Sequence, residues 1–210
     1  MKTTLLTFGT FVLSFVMFQG AVLAQNYPPS FPATRTVEVE CGHFGEWRNT
    51  VMIPSGHRIV GFRVRFEESC GRGDDTTLNG IEILYRHRSL RGTVHRLMVH
   101  QGDFGEWKQD VIAPEGFEVV AMKTRLEGKC GRGDDTALNG IQVLIKNQRT
   151  NRTSDLMVEQ GIWGNWLPNY KGFNDSNYYI AGIQVKAEGK CGSGDDTAMN
   201  GIRLIYRRND

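Results

Sequence analysis

Cysteine is sparse in this chain, with 4 residues among 210. So few cannot form the dense disulfide framework that stands in for a core in small exported domains, so stability must come from buried apolar surface. Proline is also sparse at 6 residues, and three of these crowd into "QNYPPSFPATR". Neither sign of charge dominates: 25 Lys and Arg stand against 23 Asp and Glu, interleaved and without a basic run. That excludes the electrostatic footprint of a nucleic-acid partner or an anionic membrane surface. Beyond the first residues no apolar run is long enough to span a bilayer, which excludes membrane insertion, and no apolar stripe recurs at helical spacing. What is left for the chain to build with is strands.

The one apolar run is N-terminal. Lys2, an apolar stretch from Leu5 to Met17, and Val22 and Ala24 before Gln25 have the layout of a secretory signal peptide over 1–24, too short and wrongly flanked for a membrane span. A proline-rich, aperiodic lead-in over 25–35 follows. The remainder, 36–210, is read as a single domain of three repeats, approximately 36–90, 91–150 and 151–210.

The repeats are visible in one phrase: "CGRGDDTTLNGIE" from Cys70, "CGRGDDTALNGIQ" from Cys130 and "CGSGDDTAMNGIR" from Cys191. Each repeat opens with a short alternating run, in which Val37, Leu97 and Leu156 correspond, as do Val39, Val99 and Val158. There follow "GHFGEW", "GDFGEW" and "GIWGNW", whose glycines mark a tight turn before a second short strand. A third strand alternates cleanly, with Val60, Phe62, Val64 and Phe66 on one face, matched by Val120, Met122, Thr124 and Leu126, and by Ala181, Ile183, Val185 and Ala187. The fourth, "GIEILYR", "GIQVLIK" or "GIRLIYR", is apolar on both faces and therefore buried. Four strands in each of three repeats give an all-β fold of about twelve strands with pseudo-threefold symmetry. A lone four-stranded sheet cannot cover its own apolar face, so three sheets turn those faces toward one axis.

The acid pairs lie between strands three and four. Asp74, Asp134 and Asp195, with Asn79, Asn139 and Asn200, are read as turn residues, because such side chains bond their own backbone and tolerate left-handed conformations. Calcium binding lacks the alternate spacing of a calcium loop. A carboxylate pair for glycoside hydrolysis would have to be assembled between loops, because neighbouring side chains diverge. The Arg-Gly-Asp tripeptide is lost at Ser193, and Gly71 to Asp75 fits a loose G-x-x-x-D pattern of some prism lectins. Phe44 with Trp47, Phe104 with Trp107 and Trp163 with Trp166 are candidate sugar-stacking platforms, although the tryptophans read first as packing residues, with Asp75, Asp135 and Asp196 as candidate polar partners on a glycan. The histidines lack metal-ligand spacing and no nucleophilic triad stands out, so no metal, cofactor or catalytic set is expected.

Four cysteines in an exported chain suggest two disulfides. Cys70, Cys130 and Cys191 are repeat-equivalent, whereas Cys41 stands where the other copies have Gln101 and Gln160. All three pairings stay open, with Cys41 expected to join one of the equivalent cysteines because it alone lacks counterparts. Asn151 and Asn174 open N-glycosylation sequons in polar connections.

Three G-x-[FW]-G-x-W turns, each followed by a long strand and a "GDDTALNGI"-type phrase from Thr36 to Arg208, resemble the vitelline membrane outer layer protein 1 family. The resemblance implies a β-prism of three four-stranded Greek-key sheets in a secreted, extracellular protein of an egg envelope, coat, mucus or secretion. It implies carbohydrate or other coat components as partners and, as the alternative, an enzyme transferring or hydrolysing N-acetylglucosamine oligosaccharides. The family places cysteines where this chain has Ile53 with Tyr85, Ala113 with Ile145, and a loop residue with Tyr206, so its disulfide map does not carry over. The exported protein is expected to begin at Gln25; mass spectrometry of its N-terminal peptide checks this, and a start at Met1 would remove the leader.

Overall fold

The computed structural model describes residues 34–68, 77–128, 137–189 and 198–209. Cys70, Cys130, Cys191 and the acid pairs Asp74 and Asp75, Asp134 and Asp135, and Asp195 and Asp196 lie outside the described residues, as does the leader.

The first repeat forms β1 (Thr34–Cys41), β2 (Glu46–Trp47), β3 (Val51–Met52), β4 (His57–Glu67) and β5 (Thr77–His87). The second forms β6 (His95–Gln101), β7 (Glu106–Trp107), β8 (Val111–Ile112), β9 (Phe117–Leu126) and β10 (Leu138–Asn147). In the third, β11 (Thr153–Gln160), β12 (Asn165–Trp166), β13 (Tyr178–Ala187) and β14 (Met199–Arg208) follow, and the counterpart of β3 and β8 shrinks to a bridge between Lys171 and Met122. The four expected elements per repeat are there, and the two-residue β3 and β8 are additional. β1 also starts inside the expected lead-in, pairing Thr34 with Arg207 and Arg35 with Tyr206.

Three antiparallel sheets result, ordered β6-β5-β4-β7, β11-β10-β9-β12 and β1-β14-β13-β2, with β8 beside β4 and β3 beside β13. Each is a Greek key, and together they make a β-prism. No sheet belongs to one repeat. The long hairpin of each repeat is completed by the short strands of the next, and the third hairpin, β13–β14, is completed by β1, β2 and β3 from the start of the domain. The ring therefore closes by pairing its first strand with its last.

Phe62, Val64, Ile81 and Ile83, Met122, Ile141 and Val143, and Ile183, Val185, Ile202 and Leu204 fill the centre, all essentially inaccessible. The alternation expected of strand three fails at one point in every copy. Val60, Val120 and Ala181 are extra residues in β-bulges. A bulge exchanges the faces upstream of it, so Ile59, Val119 and Ile180 join the central cluster in their place.

A second bulge corrects the reading of the Asn-Gly pair. Asn79, Asn139 and Asn200 do not sit in turns: they are buried in β5, β10 and β14, each the unpaired residue of a bulge opposite the end of strand three. The following glycines are required for close approach. A Cβ on Gly80 would lie 3.2 Å from Trp107 Cη2, and one on Gly140 would lie 3.0 Å from Trp166 Cη2.

Val64 and Val185 have Thr124 as their counterpart, equally inaccessible, and its hydroxyl has no hydrogen-bond partner among the described residues. An unsatisfied buried hydroxyl costs stability. Thr124→Val should therefore stabilise the fold by about 1 kcal/mol, an upward shift of roughly 2–4 °C in Tm; calorimetry showing a lower Tm would mean that the hydroxyl is satisfied.

Candidate functional site

Two places, at opposite ends of the central strands β4, β9 and β13, gather side chains that the core does not use. At the far ends of those strands stand the aromatic turns. Gly45, Gly105 and Gly164 have φ of +79°, +76° and +78°, and each backs onto the end of a central strand, at Ala187, Phe66 and Leu126. Only glycine combines that conformation with so close an approach. The turns are then fixed by a long cation from the central strand beside them. Arg65 donates from Nε to the Gly105 carbonyl at 2.8 Å and also reaches Gly102. Arg125 donates to the carbonyls of Gly164 at 3.0 Å and Ile162 at 2.9 Å. Lys186 reaches those of Gly42 at 2.8 Å and His43 at 3.4 Å. The bulged asparagines complete the mounting, since Gly42, Gly102 and Gly161 each donate to the carbonyl of Asn200, Asn79 or Asn139 at 2.6 Å.

The result is three rigid turns whose tips remain in solvent: Phe44 is 38% exposed, Phe104 42% and Trp163 48%, with Ile162 beside Trp163 at 63%. The tryptophans proposed from sequence behave differently. Trp47, Trp107 and Trp166 lie half-buried, one on each sheet, and are not brought together. Arg203 stacks 3.6 Å above Trp47, Arg63 5.2 Å above Trp107 and Lys123 5.7 Å above Trp166. Arg203 is held in turn by Glu38 at 2.7 Å and Arg63 by Glu82 at 3.4 Å. Of the expected disulfide residues, Cys41 is exposed at the end of β1, its sulfur 3.8 Å from Lys186 Nζ.

At the other end, three equivalent positions carry unlike residues. Arg58 of β4, Glu118 of β9 and Tyr179 of β13 meet there. Arg58 Nε is 3.0 Å from Glu118 Oε2, and the guanidinium lies 3.7 Å above the Tyr179 ring. Arg58 also donates to the His57 carbonyl at 2.9 Å and to Asn209 Oδ1 at 2.6 Å, and Gln148 donates to Glu118. Burial holds the Glu118 carboxyl above its ordinary pKa, opposed by the Arg58 charge, the Gln148 hydrogen bond and Lys146.

Beside this cluster opens a cavity of about 570 Å³, walled by Tyr170, Phe173, Tyr178, Tyr179 and Tyr206. The segment between β12 and β13 builds its outer side. Here Phe173 supplies the loop residue opposite Tyr206, with ring centres 5.9 Å apart, while Ile53 and Ala113 are buried in the other copies. Tyr206 donates to the Val120 carbonyl at 2.9 Å, and burial pushes its pKa up to about 12. Asn151 and Asn174, the two sequon asparagines, both line this cavity. The signal for it in the sequence is the stretch from Lys171 to Tyr179, where the third repeat carries extra residues relative to the other two.

A carboxyl with a raised pKa binds its proton more tightly in the folded state. Its stabilising contribution is complete below its ordinary value of 4.5 and disappears as pH rises through the folded value. The Tm advantage of the native chain over Glu118→Gln should therefore be larger at pH 4 than at pH 7. Paired thermal melts check this, and an advantage that grows toward pH 7 would place the folded pKa below 4.5.

Residues 36–204 match the family model described as Vitelline membrane outer layer protein I. A human protein named vitelline membrane outer layer protein 1 homolog is 32% identical over 178 residues, 83% of this chain and 84% of its own. The mouse protein of the same name is 30% identical over 165 residues, 78% of each chain. Among solved structures, artocarpin in complex with mannopentose is similar at a TM-score of 0.49 and 11% identity, over 84% of this chain and 99% of that one. Calystegia sepium agglutinin is similar at 0.43 and 10%, over 80% and 99%.

Proposed function

This chain belongs to the vitelline membrane outer layer protein I family, and we propose that it is a secreted, non-enzymatic component of an extracellular coat, mucus or secretion that binds carbohydrate. The observation that carries the reading is the set of three exposed aromatic tips, Phe44, Phe104 and Trp163, one per repeat, each locked by a left-handed glycine and a cationic clamp. An exposed aromatic ring on a rigid mount loses little entropy when a pyranose stacks on it. Three such rings on one body supply the multivalency that a repetitive coat glycan rewards.

Trp47, Trp107 and Trp166 contribute differently in this reading. Their faces are taken by Arg203, Arg63 and Lys123, so they brace the sheets that carry the tips. Asp75, Asp135 and Asp196 remain candidate polar partners for the sugar hydroxyls. Hydrolysis or transfer of oligosaccharides would need two carboxylates flanking a glycosidic bond. The buried carboxylate of the cavity, Glu118, is instead committed to Arg58 and Gln148, which favours binding without turnover.

On a glycan array, the purified mature protein should bind at least one class of oligosaccharide. Losing one stacking ring typically costs about 1 kcal/mol, so replacing Phe44, Phe104 and Trp163 together by Ala should lower array binding at least tenfold at unchanged Tm. Binding untouched by the triple substitution would remove the tips as the site. Altered oligosaccharide lengths after incubation, read by mass spectrometry, would replace the binding reading with an enzymatic one.

A further inference from the structure

The cavity at the opposite end differs from the tips in both shape and charge. Its volume, about 570 Å³, suits one or two sugar rings. Phe173 and Tyr178 meet edge to face with centres 5.2 Å apart, so part of the wall is already fixed. The charged residues that line it are Arg58, Arg88, Lys146, Glu118 and Asp175. Glu118 is neutralised by Arg58, and Asp175 Oδ1 accepts the Asn177 amide at 2.9 Å in a local turn. Among the described residues neither the Lys146 ammonium nor the Arg88 guanidinium has a carboxylate within ion-pair distance. An aromatic wall is thus combined with two cations outside any ion pair, Lys146 lying within the field of Glu118 and Arg88 exposed.

We propose that this cavity binds one anionic pyranose, a sugar unit bearing a carboxylate or sulfate, with its ring against the tyrosines and its acid group on Lys146 and Arg88. Two charge-assisted contacts select an acidic sugar over its neutral analogue. The site is single. In the other two repeats the connection before the central strand is short and pairs as β3 or β8, closing the corner with Ile53 or Ala113. In the third, the longer stretch through Phe173 holds the corner open. The ligand class rests on the carbohydrate reading above, whereas the residues are distinct from those of the tips.

The test is calorimetric titration of the mature protein with glucuronic acid, N-acetylneuraminic acid and glucose 6-sulfate, and with methyl glucoside as the neutral control. At least one acid should bind with one site per chain, at least tenfold more tightly than the control, and more weakly as salt rises. The carboxylate and sulfate arms identify which acid group is taken. Lys146→Ala combined with Arg88→Ala, both outside the core, should remove the preference at unchanged Tm, and the Phe44, Phe104 and Trp163 triple variant should retain it. Equal affinity for the neutral sugar, a preference that survives the double substitution, or no response to any of the three acids would each overturn the cavity proposal, whatever the array shows for the tips. Acid binding with a silent array would overturn the tip reading alone.

Discussion

The structure depends on a pairing across the whole chain, β1 against β14. Every long hairpin of the prism is an incomplete sheet, and each is finished by the next repeat in line. The third has no next repeat, so the opening strand of the domain must return to it. Without that return, the outer edge of β14 would be an unpaired strand, and Val37 and Val39 would leave the core cluster they contact. Closure turns three marginal sheets into one cooperative body, because no repeat can detach without exposing the core of its neighbour.

Closure alone would give three flat sheets, and flat sheets do not enclose a core. Three bulges per sheet supply the curl. They also do local work. The bulge at Asn79, Asn139 or Asn200 turns a backbone carbonyl toward the aromatic turn, and Gly80 and Gly140 leave room for the tryptophan of that turn, while Gly201 leaves room for the backbone of β1. Backbone irregularity, side-chain clamp and glycine conformation therefore converge on the same three tips.

Much of this was legible in the sequence. The period of the "GDD" phrase and the alternation in Val37 and Val39, or Phe62 and Val64, identified the repeats, the strands and the inward face without any structure. The bulges were not legible, because a one-residue insertion in an apolar run leaves the composition intact while exchanging Val60 for Ile59 in the central cluster. Asn-Gly was misread for a related reason: the pair is the commonest signature of a tight turn, and nothing local reveals that Gly80 and Gly140 make room for tryptophans 27 and 26 residues on. The tips Phe44, Phe104 and Trp163 were visible as residues, but their mounting depends on cation clamps supplied by the central strand of an adjoining repeat. Arg58, Glu118 and Tyr179 escaped entirely, because a repeat is recognised by likeness and these three positions matter through being unlike.

That unlikeness has a physical cause. Where a threefold body closes on its axis, equivalent side chains converge, and three copies of one charge would repel in a partly buried site, whereas three small residues would leave a hole. An arginine, a glutamate and a tyrosine solve both problems, since the ion pair cancels its own charge and the ring packs under the guanidinium. The solution is available only if the repeats differ at that position, and it breaks the symmetry at the axis. The longer connection before β13 breaks it again at the adjacent corner, where Phe173 and Tyr178 stand beside Tyr179. The tip end, where Phe44, Phe104 and Trp163 each stand in solvent, keeps its threefold pattern. A repetitive surface and a unique cavity are thus consequences of the same closed ring, seen from its two ends.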